Sequence, residues 1–152
     1  MSNPNSVPER CTEILNHSSI VVKAKGRVAI FLNPSKTAIK KIDVDCWIAS
    51  SKLPKSDFVL SKTGIVDVIV ELKGKEIDHA IQQILSTLAQ WKVTAEAAPK
   101  VGGLIVFTRS PFRSAALNRK RLSVLLKHKL WLEMCKSASK EHIFETFTQT
   151  QP

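Results

Sequence analysis

The sequence predicts a single α/β domain in which a mixed β-sheet is flanked by helices. The chain has 152 residues, a length that supports one hydrophobic core. Its middle part contains three short apolar segments separated by turn residues, which is typical of an antiparallel meander. A segment with helical periodicity and a further apolar strand follow. A meander with such a crossover makes a mixed sheet.

The first half of the chain is expected to contribute a short helix and the first strands. Residues 1–8 form a polar tail that we expect to be disordered, and residues 9–16 fit a short helix. Residues 19–32 fit two short strands or one hairpin, with a break at Lys25-Gly26. Apolar and polar residues alternate over 41–48, which predicts a strand.

The second half completes the sheet and its helices. Gly64 lies between two apolar segments, where a tight hairpin loop favours glycine. The predicted elements are, in order, strands over 57–62 and 65–73, a helix over 75–92, a strand over 101–108, and one long or two short helices over 114–134. The domain is expected to span residues 9–146, and residues 147–152 are expected to fray.

The charge of the chain indicates a polyanionic partner. Lys and Arg number 23 against 13 Asp and Glu, a formal net charge of +10. The segment 109–129 contains seven basic residues and no acidic one: Arg109, Arg113, Arg119, Lys120, Arg121, Lys127 and Lys129. We expect these residues to bind nucleic acid, with DNA favoured over RNA. The alternative, a solvated amphipathic helix, stays open.

Location and partners are constrained by what the sequence lacks. No apolar segment is long enough to span a bilayer, and the first ten residues lack the layout of a secretory signal. Cys11, Cys46 and Cys135 are odd in number and widely spaced, which fits reduced thiols. We therefore expect a cytoplasmic protein without a membrane partner.

A carboxylate and a lysine end the apolar strand predicted over 65–73. Glu71 and Lys73 are two positions apart and therefore lie on the same strand face, just before a helix begins. Burying these charges at such a place is costly unless they pair or bind a metal ion. The alternative is an ion pair at the sheet edge without catalysis.

A second carboxylate can be placed next to Glu71 by counting along the hairpin. If residues 62–64 form a three-residue loop, Ser61 pairs with Ile65, and Asp57 becomes a diagonal neighbour of Glu71 at about 7 to 8 Å. A two-residue turn would move Asp57 to the opposite face. Asp67 shares the face of Glu71, but it lies about 13 Å away along the strand, too far to bind the same ion easily.

These residues resemble the signature of the PD-(D/E)xK nuclease superfamily, whose members have the restriction-endonuclease-like fold. That signature is an acid on the second core strand and an acid-x-Lys on the third, followed by a helix. Ser56-Asp57 and Glu71-Leu72-Lys73 match its two parts, with 13 residues between them and Ser56 in place of the motif's proline. Gln83 matches a glutamine that many members carry on the helix. The resemblance covers residues 40–108.

The resemblance implies a Mg²⁺ site, in which Mn²⁺ is expected to substitute. Asp57, Glu71 and the main-chain carbonyl of Leu72 would bind the ion. Lys73 would position or help to deprotonate the attacking water, and Gln83 would lie near the ion. An acid from the first helix sometimes completes such sites, and Glu9 and Glu13 are the candidates here.

We therefore expect a Mg²⁺-dependent nuclease that hydrolyses phosphodiester bonds of duplex or branched DNA. Two alternatives stay open: a non-catalytic nucleic-acid-binding relative with the same fold, and a basic domain that binds a protein partner. A homodimer is also expected, because one domain carries one metal site whereas a duplex has two strands. The apolar residues of the C-terminal helix would supply the interface, unless that helix is buried within one subunit.

Overall fold

The computed structural model describes residues 6–49, 52–74, 76–94, 96–107, 115–138 and 140–151, with the side chain of Lys73 outside this description. Short 3₁₀ helices lie near both ends, at Glu9–Cys11 and Phe144–Thr148. The other elements are, in chain order, β1 (Thr12–Leu15), β2 (Ser19–Ala24), β3 (Arg27–Leu32), β4 (Ile39–Asp43), α1 (Val44–Trp47), β5 (Phe58–Lys62), β6 (Val66–Gly74), α2 (Ile77–Trp91), β7 (Val101–Phe107), α3 (Ala115–His128), β8 (Leu130–Lys136) and β9 (Glu141–Ile143).

Six strands form the main sheet, in the order β1-β4-β5-β6-β7-β8. β4, β5 and β6 make the expected antiparallel meander. α2 then crosses over, and β7 and β8 continue the sheet in parallel pairings. The prediction of a mixed α/β sheet is therefore confirmed. β6 lies inside this sheet, and its apolar residues Val66, Val68, Ile69, Val70 and Leu72 are all fully buried, as expected for a strand covered on both faces.

The two faces of the main sheet are covered by different kinds of structure. The apolar stripe of α2, which includes Ile84 and Leu88, packs on one face together with Val124 of α3. The other face packs against a second sheet, β2-β3-β9, and the C-terminal 3₁₀ helix. The prediction of flanking helices is thus correct for one face only. Alternating residues such as Ile20 and Val22 give the β2–β3 hairpin one apolar face, and the main sheet covers it.

The strand predicted over 41–48 ends early. β4 stops at Asp43, whose Oδ1 accepts a 3.2 Å hydrogen bond from the N–H of Cys46 and caps the one-turn helix α1. Aspartate is a favoured N-cap because its side chain satisfies a main-chain N–H that has no partner within the helix. The capping interaction therefore overrides the alternating pattern.

The helix predicted over 9–16 is also wrong. Its first residues form the 3₁₀ turn, and its last residues form β1, which pairs with β4. Cys11 and Cys46 are brought together by these two elements, with 5.4 Å between their Cα atoms, and form a disulfide. The expectation that all three cysteines are reduced is therefore wrong, and it no longer supports a cytoplasmic location.

The helix predicted over 114–134 ends at His128, within the described part of the segment. Lys129 adopts a left-handed conformation with φ of 55°, which stops the helix. Leu130 and Leu132 then point to the same face of β8 and are buried, so a period of two replaces the helical period. Met134 likewise lies in β8 and does not extend the apolar surface of the helix.

The ordered core reaches into both segments that the sequence places in tails. Val7 is buried, and its N–H donates a 2.8 Å hydrogen bond to Oε2 of Glu96. Phe147 is buried against Gly102, where a Cβ atom would lie 2.5 Å from Cβ of the phenylalanine. Glycine at this position of β7 therefore lets the C-terminal residues pack directly on the main sheet.

Candidate active site

The β5–β6 hairpin determines which acids meet. Its loop consists of residues 63–65, because Lys62 pairs with Val66, and Gly64 adopts φ of 77° there. The predicted pairing of Ser61 with Ile65 is wrong by two residues, since Ser61 pairs with Asp67. A shift by two leaves every side chain on its predicted face.

Asp57 and Glu71 lie side by side at one end of the meander. Phe58 pairs with Val70, so Asp57 lies directly beside Glu71, whereas the predicted register places it opposite Ile69, two residues away. The N–H of Asp57 donates a 3.1 Å hydrogen bond to the carbonyl of Val70. The N–H of Leu72 donates a 2.7 Å hydrogen bond to Oδ2 of Asp57. These contacts hold the Asp57 side chain against the end of β6.

Lys25 contacts both acids from the second sheet. Its Nζ lies 2.8 Å from Oδ1 of Asp57 and 3.9 Å from Oε1 of Glu71. The Glu71 side chain is fully buried and that of Asp57 is 9% exposed, whereas the lysine side chain is 45% exposed. The site thus has buried carboxyl groups at its base and a cation that enters from the solvent side.

The environment of Asp57 favours its ionised form. Burial raises the pKa of this carboxyl group, but hydrogen bonds with Glu71, Lys25 and the N–H of Leu72 outweigh burial and hold the pKa below its usual value. For Lys25, burial lowers the pKa, and the hydrogen bond and charge of Asp57, with smaller effects of Glu71 and Asp45, raise it overall. The site therefore stabilises one anion and one cation in contact.

Helix α2 holds the loop that leads to Asp57. Nε2 of Gln83 donates a 3.1 Å hydrogen bond to the carbonyl of Lys55, and the N–H of Ser56 donates a 2.9 Å bond to Oγ1 of Thr87. The Thr87 hydroxyl donates in turn to the carbonyl of Gln83. The hydrogen bond of the Gln83 side chain is thus with the loop that precedes Asp57.

The strand irregularity after Glu71 affects the prediction for Lys73. Glu71 pairs with Ile105 and Gly74 with Phe107, so two residues of β6 oppose one residue of β7. Alternation between the faces is interrupted at such a bulge. The shared face expected for Glu71 and Lys73 is therefore untested, and the Lys73 side chain lies outside the described structure.

Other predicted acids lie elsewhere. Asp67 is buried farther along β6 and accepts hydrogen bonds from Trp91 Nε1 and the N–H of Ala98. Glu9 is exposed in the first 3₁₀ turn, and Glu13 on β1 lies 4.0 Å from the ammonium of Lys41. None of these recorded contacts involves Asp57 or Glu71.

The donors at the site suit a hard divalent cation. Mg²⁺ in proteins is bound by one or two carboxylates and keeps several water molecules. Across the described ranges, no group of three or more His, Cys, Asp or Glu side chains converges on a metal position. A Mg²⁺ ion would therefore depend on Asp57, Glu71, main-chain oxygens such as that of Leu72, and water.

The basic segment is described for five of its seven predicted binding residues, because Arg109 and Arg113 lie outside the described residues. Arg119, Lys127 and Lys129 are exposed on or just after α3. The other two have acidic partners: Lys120 forms an ion pair with Asp78, and Arg121 with Glu133 at 3.6 Å. The guanidinium of Arg121 also donates to the carbonyl of Leu132 and lies over Trp131. Their charges are therefore partly compensated.

Sequence reasoning missed two residues of the site, Lys25 and Thr87. In the sequence, Lys25 indicates only a break between two strands. Its contact with Asp57 and Glu71 depends on how the second sheet packs on the first. Thr87 had a weak signal, since it is a hydroxyl residue within the apolar stripe of α2, four residues after Gln83. A polar residue at such a position needs a hydrogen-bond partner, and the loop before Asp57 provides it.

The chain matches no protein-family model, and no curated protein or solved structure shows significant similarity to it. Within the parts of the chain that the structure describes, no helix is long and apolar enough to cross a membrane. The resemblance to the PD-(D/E)xK superfamily therefore stays a prediction based on the motif residues.

Proposed function

We propose that the chain is a Mg²⁺-dependent nuclease with the restriction-endonuclease-like fold and that it hydrolyses phosphodiester bonds of DNA. The observation that carries the proposal is the meeting of the Asp57 and Glu71 carboxyl groups at the end of β6. Two buried acids in contact are unfavourable unless a proton or a cation compensates their charge. Such a pair is typical of a cation site.

The position of the pair within the sheet supports the same proposal. The superfamily signature places its acids on the second and third strands of a meander, before a helix. Asp57 directly precedes β5, the second strand of the β4-β5-β6 meander, and Glu71 lies on β6, the third. α2 follows, as the signature requires.

The residues of the chain have distinct roles in this proposal. Bound Mg²⁺ would polarise the scissile phosphate and lower the pKa of a bound water. Asp57 and Glu71 would hold the ion, and the N–H of Leu72 orients the Asp57 carboxylate. Gln83 keeps the preceding loop in place. Lys73, two residues after Glu71, would stabilise the negative charge that develops on the phosphate.

The exposed bases on and just after α3 supply the proposed contact with the nucleic acid backbone. Arg119, Lys127 and Lys129 carry positive charge that no recorded acid compensates in the described structure. Phosphate contacts of this type give affinity without sequence preference. DNA is favoured over RNA on the family resemblance alone, and parallel assays with both separate them.

Cleavage assays on supercoiled, single-stranded and branched DNA, with Mg²⁺, Mn²⁺ or a chelator, test the proposal. Glu71→Gln, Asp57→Asn and Lys73→Met should each lower the rate by at least about 100-fold. Asp67→Asn is the matched control, because it removes a buried carboxylate from the same strand, away from the acid pair. It should cleave at the wild-type rate.

Two outcomes would contradict this proposal. Cleavage by Glu71→Gln at the wild-type rate would exclude the acid pair as the active site. Salt-dependent DNA binding without cleavage in either metal would instead favour the second candidate, a non-catalytic nucleic-acid-binding protein. The Lys25–Asp57 ion pair is the observation that favours this candidate, since it compensates the carboxylate without a metal ion.

The homodimer stays a proposal with a smaller structural basis than the sequence indicated. Leu130, Trp131 and Met134 belong to β8, and the large exposed apolar residues described on α3 are Leu122 and Leu126. Sedimentation at micromolar concentration tests it. A dimer that Leu122→Asp and Leu126→Asp dissociate would support this interface, and a monomeric wild type would contradict it.

A further inference from the structure

The tip of the β2–β3 hairpin places Lys25 in a conformation that lysine rarely adopts. Ala24 pairs with Arg27, so Lys25 and Gly26 form a two-residue turn with φ of 54° and 74°. Positive φ at both positions is typical of a type I′ turn, in which asparagine and glycine are the preferred residues. Nη1 of Arg27 donates a 2.7 Å hydrogen bond to the carbonyl of Lys25 and holds the turn.

The base of this hairpin is firmly attached to the main sheet. Ile20, Val22 and Phe31 are buried in the apolar layer between the two sheets. Lys23, on the opposite face of β2, is exposed. The hairpin therefore holds its turn beside the end of β6, and the ammonium of Lys25 reaches both acids there.

The ammonium of Lys25 lies against both carboxyl groups of the acid pair. It is within 2.8 Å of Asp57 and 3.9 Å of Glu71. A Mg²⁺ ion held by both acids would lie about 2.0 to 2.1 Å from their oxygens. Two cations cannot share these oxygens at such distances, because two positive charges a few ångströms apart repel each other strongly.

We propose that Lys25 occupies the cation position of the metal-free active site and that a divalent ion must displace it to bind. This inference rests on the proposed metal-dependent function. Displacement moves the Lys25 side chain and the hairpin tip away from Asp57. Lys25 thereby lowers the apparent metal affinity, because only molecules in which it has left the acids bind the ion.

Titration calorimetry with Mn²⁺ tests the displacement without any assay of cleavage. Lys25→Met should bind Mn²⁺ about tenfold to a hundredfold more tightly than wild type, a range expected for loss of a competing charged hydrogen bond. Lys23→Met is the matched control. It removes the same charge from the same hairpin on the exposed face and should bind Mn²⁺ as wild type does.

The outcomes separate this inference from the function on which it rests. If Lys25→Met binds Mn²⁺ as tightly as wild type or more weakly, the proposed displacement of Lys25 is wrong, while the proposed metal site still stands. No Mn²⁺ binding by wild type and both lysine variants would overturn the metal site itself. Asp57→Asn should abolish binding, which identifies the titrated site.

A second measurement on the wild type covers the case in which Lys25→Met does not fold. In ¹⁵N-labelled protein, Mg²⁺ should shift the amide signal of Gly26, and the shift should saturate with metal occupancy. The amide of Gly64, in the loop at the other end of β5, is the internal reference. A Gly26 signal that stays unchanged at saturating Mg²⁺ would overturn the proposal.

Discussion

The indole Nε1 of Trp91 donates a 2.6 Å hydrogen bond to Oδ2 of Asp67, and both side chains are fully buried. The N–H of Ala98 donates to the same oxygen, also at 2.6 Å. These contacts join the end of α2 and the loop after it to the start of β6. Asp67 is therefore a structural carboxylate at the end of the strand opposite to the acid pair.

Asp67→Asn should change how stability depends on pH. Burial raises the pKa of Asp67 above its ordinary value near 3.8, and hydrogen bonds from Ser61, Ala98 and Trp91 only partly oppose this. Because the pKa is raised, the protonated carboxyl group of Asp67 stabilises the fold. This stabilisation is complete below pH 3.8 and is lost as the pH rises through the pKa of the folded state. We therefore expect the free energy of unfolding of Asp67→Asn, measured with urea and taken relative to wild type, to be higher at pH 7 than at pH 4.

Trp91→Phe provides the companion variant, because it keeps the carboxylate and removes one donor. It should lose more stability at pH 7 than at pH 4, since a hydrogen bond to an ionised acceptor is worth more than one to a neutral acceptor. A constant difference between Asp67→Asn and wild type at both pH values would contradict the raised pKa.

Gly102→Ala should destabilise the fold by about 1 to 3 kcal/mol, as expected when a tightly packed core must accept an extra methyl group. The new Cβ would lie 2.5 Å from Cβ of Phe147, so the C-terminal 3₁₀ helix must shift. Thermal and urea denaturation measure the effect. In the Phe147→Ala background the added cost of Gly102→Ala should shrink in part, because the ring atoms Cδ1 and Cγ, 2.7 and 3.0 Å from the new Cβ, are gone while Cβ of residue 147 remains. An equal cost in both backgrounds would show that the ring of Phe147 does not pack on β7.

The meander and its acids could be predicted because their signals are local. The two apolar segments and the glycine at position 64 between them predict a hairpin, and the face of Asp57 depends only on whether the register is odd or even. The predicted register is wrong by two residues, yet Asp57 and Glu71 still lie on the same face and side by side. Even the crossover helix α2 follows from its own periodicity.

The structural features that the sequence does not predict correctly have a different origin, since they depend on contacts between distant segments. The helical spacing of apolar residues predicts a helix that continues past Lys129, whereas the segment from Leu130 forms β8 because it pairs with β7. The contact of Lys25 with Asp57 requires one sheet to pack on the other, which no periodicity encodes. The same holds for Cys11 and Cys46.

Neutralising the exposed bases of α3 should weaken DNA binding in a salt-dependent way. In a variant with Arg119→Gln, Lys127→Gln and Lys129→Gln, the slope of log K against log salt should fall by about 3, close to one unit per phosphate contact. Fluorescence anisotropy at several salt concentrations measures the slope. Affinity should fall equally for different sequences, because phosphates carry no sequence information.

Lys120→Gln and Arg121→Gln are the controls for this prediction. Both residues already pair with acids, Asp78 and Glu133, so their loss removes less uncompensated charge. Their combined variant should retain most of the salt dependence. Equal slopes for the triple variant and the wild type would show that α3 does not contact the nucleic acid backbone.

His142 should make the fold sensitive to mild acid. It is buried beside the rings of Phe31 and Phe147, and Nε2 lies 3.5 Å from Sγ of Cys135. Burial, with a smaller effect of the charge on Lys140, lowers the pKa of His142 from 6.5 to about 4, and Glu133 only partly opposes this.

A lowered histidine pKa means that the unfolded chain takes up the proton first. The stabilisation from neutral His142 is therefore complete above pH 6.5 and is lost as the pH falls from 6.5 to about 4. The loss should be about 3 kcal/mol by pH 4, because each pKa unit between the folded and unfolded states corresponds to about 1.4 kcal/mol. His142→Phe keeps a ring between the two phenylalanines and removes the titrating group. The free energy of unfolding, measured with urea from pH 7 to pH 4, should decline less for this variant than for wild type. Taking the difference between the two proteins cancels the opposite contribution of Asp67, and parallel curves would show that His142 does not titrate with the lowered pKa.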